Sequence, residues 1–248
     1  MINVLLALAG LALVSAPLDG ADLAAPKAQA GKTSAPAKPA KAKPAAAKPA
    51  DSAGVIAEAA KPEKPPMSAA AARVANWVLV TGDNRALPYL IIDKQGAVAH
   101  LFDAEGKAVA DAPVLIGVAP GDDASPGIGS KSLAEIGPAE KTTPAGRFLA
   151  RFGVAAGKKR VLWVDYATSV ALHTIPPGTK KERRRERMLS PEIDDNRITF
   201  GCINVPIAFY GKNLQPLFSG KGGYVYVLPD TKSLEEVFPP LRVQQFSA

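Results

Sequence analysis

Between Leu87 and Asp103 apolar residues run in short bursts broken by turn residues. LPYLIID and AVAHLFD are rich in β-branched and aromatic side chains and are bounded by KQG (94–96) and AEG (104–106). Such runs predict strands, and each glycine is expected at the left-handed position of a hairpin turn. NWVLVTG (76–82) reads the same way and predicts a first strand. KAVADAPVLIGVA continues the meander, followed by the long loop APGDDASPGIGS. TTPAGRFLARFGV predicts a strand that begins in a constrained Thr-Pro turn with a glycine bend. VLWVDY and TSVALHTI alternate as two further strands, the second ended by Pro176, Pro177 and Gly178. KKERRRERMLS predicts a short exposed helix on an inserted loop. VPIAFYGKNLQPLF predicts a helix opened by Pro206 and interrupted at Gly211 and Pro216. YVYVLPD is the expected last strand and SLEEVF a last helical turn. The pattern predicts a mainly β domain, a mostly antiparallel sandwich or barrel with a few short helices.

The pattern before residue 73 is different. Residues 1–16 hold an apolar run, Val4 to Val14, too short for a bilayer span of ~20 residues and suited to the core of a secretory signal peptide. Residues 17–72 are rich in Ala, Pro and Lys and lack aromatic residues. Such a segment cannot repay its ordering entropy, so a disordered linker is expected there. Residues 73–248 form the expected folded domain. The implied location is the periplasm, at the cell wall.

Charge narrows the partners. The chain carries a net +7. Eight lysines against five acids in 1–72, and six bases against two glutamates in 178–187, account for all of it. The remainder is neutral, so a basic globular face for nucleic acid is not indicated. The sequence is silent on oligomeric state.

The chain has one cysteine, Cys202, in RITFGCINVP, and two histidines, His100 and His173. A single thiol in an oxidising compartment is either an inert buried group or a reactive one. A thiol nucleophile needs a base and oxyanion donors. His173 ends a predicted strand and can return to Cys202 across the basic loop. Gly201 allows close backbone approach, and Gly201 and Cys202 can present adjacent N–H groups. His100 sits in an apolar strand and is expected to be structural. Two isolated histidines and one cysteine lack ligand spacing, so no metal or cofactor is implied.

The order of segments resembles the L,D-transpeptidase catalytic domain, the YkuD family, over roughly residues 88–229. Thr143, Pro144, Gly146 and Phe148 match its TPxGxF-type element. His173 matches its histidine, and Thr199, Gly201, Cys202, Ile203 and Asn204 match its cysteine signature. Phe200 stands where that signature has a second histidine. The stretch between His173 and Thr199 is longer than usual, mostly through residues 179–195, which could form a basic lid.

The resemblance implies Cys202 as nucleophile and His173 as base, oriented by the backbone carbonyl of Thr174. It implies Gly201 and Cys202 as oxyanion donors, and Asn204, Thr199 and Phe200 as substrate contacts or loop supports. It implies peptidoglycan tetrapeptide stems as substrate, with release of D-Ala and transfer to an amine of a second stem or of a wall-bound protein. Water as acceptor would make an L,D-carboxypeptidase. Two rivals stand beside this reading. One is a noncatalytic wall-binding module. The other is a cysteine peptidase of another fold, in which Asp165 would orient His173.

Overall fold

A computed structural model of the chain describes residues 67–178 and 180–242. The expected signal segment, and the expected linker as far as residue 66, lie outside the described residues.

Residues 76–82 are not a strand. They end helix α1, Ala69–Thr81, which also takes in residues 69–72 of the expected linker. The cluster WVLV suggested a strand, but the buried positions Ala71, Val74, Trp77 and Val78 recur at helical spacing. The Ser68 hydroxyl accepts from the Ala71 N–H at 3.1 Å, and Gly82, in the left-handed region, ends the helix by donating to the Val78 carbonyl.

The strands are β1 (Tyr89–Asp93), β2 (Val98–Phe102), β3 (Ala108–Pro113), β4 (Ile116–Gly117), β5 (Gly146–Ala155), β6 (Lys159–Asp165), β7 (Val170–Thr174), β8 (Arg197–Thr199), β9 (Ile203–Val205) and β10 (Gly223–Val227). Eight of them form one sheet in the order β3-β2-β1-β10-β5-β6-β7-β9, while β4 and β8 pair separately. In the large sheet β1–β10 and β7–β9 are parallel and the other neighbours antiparallel, so the expectation of a mainly β, mostly antiparallel domain holds. Just after β3, Leu115 exchanges both backbone hydrogen bonds with Asn204 of β9, at 3.0 and 2.8 Å. The two ends of the sheet therefore meet, and the sheet is nearly closed.

The parallel pair β1 and β10 is buried on both faces, as its unbroken apolar runs require. Leu90, Ile92, Val225 and Val227 point into the sheet interior with Leu172, Ile203 and Val205. Tyr89, Ile91, Tyr224 and Tyr226 pack outward against Val74, Trp77 and Val78 of α1.

The KQG turn departs from expectation. Gly106 has a positive φ, but Gly96 does not, and Ala97 takes the left-handed position instead. The Asp93 carboxylate accepts from the Gln95 and Gly96 N–H groups at 3.0 and 2.9 Å. A Cβ on Gly96 would stand 3.0 Å from that carboxylate, so glycine serves clearance there.

The basic segment forms α2, Arg184–Met188. It is anchored by the buried Met188 and by Arg187, which donates to the carbonyls of Asp195 and Arg197 at 2.7 and 3.1 Å. The helix after Pro206 runs as α3 (Ile207–Phe209), a π turn (Tyr210–Leu214) and α4 (Gln215–Phe218). The π turn precedes Pro216, which has no N–H for the Lys212 carbonyl. Phe209, Leu214 and Phe218 cap the interior of the sheet. SLEEVF gives α5, Leu234–Val237, with Ser233 and Glu236 forming a capping box. Among the described residues no helix is long and apolar enough to cross a membrane.

Candidate active site

The site is built on β7 and β9. Their parallel register sets Leu172 beside Ile203, His173 beside Asn204 and Thr174 beside Val205. Val170, Leu172, Ile203 and Val205 belong to the interior core. Side chains alternate along a strand, so Ala171, His173, Cys202 and Asn204 share the opposite face. Cys202 stands one residue before β9, on the same face as His173 and one pleat step away. The register thus puts the cysteine and histidine singled out by the sequence on one face of neighbouring chain segments, and both are half-buried.

His173 Nδ1 lies 2.8 Å from the Thr174 carbonyl. A carbonyl only accepts, so Nδ1 carries the hydrogen and Nε2 of the neutral ring is left as the acceptor. The contact with Thr174 thereby fixes the ring's tautomer. Asp165 is engaged elsewhere: its carboxylate accepts from the Ala167 N–H and the Thr168 hydroxyl, at 3.1 and 2.6 Å. It closes its own turn, and the peptidase rival gains nothing from it.

Burial pushes His173 below its usual value. The Thr174 carbonyl opposes that, and the charges of Arg184 and Lys159 reinforce it. Burial pushes the Cys202 thiol up, opposed by the Ala171 backbone. At neutral pH the pair thus rests as thiol and imidazole. The Sγ–H is directed at the Ser169 carbonyl, 3.8 Å away.

The turn carrying Cys202 is tightly determined. Gly201 has φ +120°, and a Cβ there would stand 2.7 Å from the Thr142 carbonyl oxygen. Thr199 supports the loop from within: its hydroxyl donates to the Cys202 carbonyl at 2.6 Å and accepts from the Gly201 N–H at 3.1 Å. The Gly201 N–H is thus engaged, and it can serve an oxyanion only by leaving Thr199. Phe200 is exposed, with the Lys141 ammonium 3.9 Å from its ring centroid. His100 is buried and paired with Asp111 at 2.7 Å, as a structural residue.

Asn204 is buried beside His173. Its Nδ2 lies 3.4 Å from His173 Nε2, and its Oδ1 accepts from Arg184 Nη1 at 3.0 Å. Arginine has no acceptor, which fixes the amide: Oδ1 faces Arg184 and Nδ2 faces His173. Sequence reasoning missed Arg184. Six bases crowd that segment, and only the fold shows which one turns inward. Its side chain is 13% exposed, against 69% for Arg183. Beyond Thr174 a groove of about 1130 Å³ runs between α2 and Pro206–Ala208, lined by apolar residues such as Met188 and Ile207 and by several bases.

Fold and site together define a mainly β domain with a cysteine–histidine pair on one sheet face. Among solved structures it is similar to an L,D-transpeptidase from Xylanimonas cellulosilytica, at 14% identity and a TM-score of 0.33, over 57% of this chain and 60% of that one. It is similar to the helical cell shape determining protein Pgp2 from Campylobacter jejuni, at 13% identity and a TM-score of 0.39, over 66% and 57%. The catalytic domain of an Enterococcus faecium L,D-transpeptidase aligns at 17% identity and a TM-score of 0.30, over 56% of this chain and 95% of that one. No protein-family model matches the chain, and no curated protein matches it.

Proposed function

We propose that the chain is a cysteine-dependent acyltransferase of the L,D-transpeptidase kind, acting in the periplasm on peptidoglycan tetrapeptide stems. One observation supports the reading: Cys202 and His173 share a sheet face, and the Thr174 carbonyl leaves Nε2, beside the Asn204 amide, as the ring's acceptor. The two matching sequence motifs add the substrate class.

In this reading the Asn204 amide gives up Nε2, and the thiol leaves the Ser169 carbonyl and gives its proton to His173 Nε2. Sγ attacks the carbonyl between the third stem residue and the terminal D-Ala. The oxyanion is met by the Cys202 N–H, joined by the Gly201 N–H if that leaves Thr199. The C–N bond breaks, D-Ala departs with the proton from His173, and a thioester remains on Cys202. An amine of a second stem or of a wall-bound protein then attacks the thioester, losing a proton to Nε2. The C–S bond breaks and the sulfur is reprotonated. With water as acceptor the product is a tripeptide stem.

The test is incubation of the full chain with purified disaccharide-tetrapeptide, followed by mass spectrometry. A cross-linked dimer shows transfer, and loss of D-Ala alone shows hydrolysis. Both should vanish in Cys202→Ser. Intact substrate with no adduct on Cys202 would overturn the reading and leave the wall-binding module.

A further inference from the structure

We propose that Arg184 is the carboxylate-recognising residue of this site, and that the same guanidinium positions His173 through Asn204. The inference deepens the acyltransferase reading and rests on it for the identity of the substrate.

The guanidinium is divided between two tasks. Nη1 donates to Asn204 Oδ1 at 3.0 Å. The other edge, Nε and Nη2, faces the two carboxylate oxygens of Glu182 at 3.3 and 3.1 Å. That is the forked geometry by which arginine holds a carboxylate. Glu182 is the more exposed partner, 35% against 13% for Arg184. It approaches from the solvent side and occupies the fork as a carboxylate supplied by the chain itself. The turn before α2 makes room for the pair. Gly178 has φ +60°, and a Cβ there would stand 2.8 Å from a Glu182 carboxylate oxygen and 3.3 Å from Arg184 Cδ.

Arg184 itself lines the groove beyond Thr174. Arg183, Arg185, Lys180 and Lys212 line it, with Glu186 as the one acid among its lining residues. Such a lining attracts an anionic peptide toward Arg184. An incoming carboxylate replaces Glu182 on the Nε–Nη2 edge and leaves Nη1 on Asn204. Recognition then leaves the Asn204 amide aimed at His173, so one guanidinium serves the anion on one edge and the base on the other.

The test uses alkylation of Cys202 in the full chain, which needs an accessible thiol but no turnover. Rates are measured with iodoacetate, an anion, and with neutral iodoacetamide. Arg184→Gln is expected to lower the iodoacetate-to-iodoacetamide ratio at least about fivefold, with Arg184→Lys recovering part of it because charge returns without the fork. Glu182→Gln, which removes the competing carboxylate, should raise the ratio. Arg151→Gln, in a separate surface cavity, serves as the control and should leave it unchanged. A ratio in Arg184→Gln within about twofold of the parent overturns the proposal. If that variant does not fold, an unchanged ratio in Glu182→Gln overturns it instead. Inactivity toward stems would count against the acyltransferase reading without touching this ratio.

Discussion

The Thr143 hydroxyl donates to the Gly201 carbonyl at 2.9 Å, joining the lead-in of β5 to the cysteine turn across 58 residues of chain. The same oxygen accepts from the Gly117 N–H at 2.9 Å. Two segments that stand apart in the sequence are therefore one piece of structure, and a single buried hydroxyl satisfies two backbone groups. Thr143→Val keeps the shape and orphans both groups. It should cost about 1–3 kcal/mol, read as a lower denaturant midpoint, and Thr143→Ser should recover most of it.

Gly201→Ala should be worse for the site than for the fold. The added Cβ meets the Thr142 carbonyl oxygen at 2.7 Å, and φ +120° is open to glycine alone. The turn has to shift, at about 1–3 kcal/mol of strain. Displacing Sγ by an ångström can cost about 100-fold in turnover. Stem processing and the denaturant midpoint, measured on one preparation, separate the two effects.

Much of this arrangement was legible in the sequence because its residues lie in strands with local signals. VALHT alternates cleanly, so His173 could be assigned to a strand end. Gly201 and Cys202 announced a tight turn by composition. What could not be read depends on tertiary partners. RIT and INV are too short to reveal β8 and β9, whose pairing with β4 and β7 creates them. NWVLVT has strand-like residues, and its helical burial appears only against Tyr224 and Tyr226. Arg184 is one base among six until the fold turns it onto Asn204.

Lys94 makes a prediction about stability away from the chemistry. Its ammonium is fully buried, 2.9 Å from Asp122 and 3.3 Å from Asp230, and it also donates to the carbonyls of Gly121 and Thr143. Burial tends to raise the Asp122 carboxyl, but the Asp230 and Lys232 N–H groups, Lys94 and Thr231 together hold it well below the usual carboxylate range. Lys94→Met leaves Asp122 without its buried cation, while Asp230 keeps Arg197 at 2.8 Å. The expected loss is about 3–5 kcal/mol, measured by chemical denaturation. Because the Thr143 carbonyl is one of the ligands, Cys202 alkylation should change in the same variant.

The resting pair also predicts how the protein responds to pH. Burial lowers His173 in the folded state, helped by Arg184 and Lys159, so below its ordinary value of 6.5 the unfolded chain binds the proton more readily. The contribution is present above pH 6.5 and is lost as pH falls through the lower folded value. His173→Gln removes the titrating group, so the drop in denaturant midpoint between pH 7.5 and 5 should be smaller than in the parent. Cys202 behaves oppositely. Its thiol is raised above its usual 9.0, so the folded state holds the proton longer and loses stability as pH rises through the raised value. The reactivity of the free protein follows the same sign. Alkylation by iodoacetamide should still be climbing above pH 9, where an unhindered thiol has begun to level off. A plateau reached below pH 8 would mean a thiolate–imidazolium pair at rest, and the neutral resting state derived from burial would be wrong.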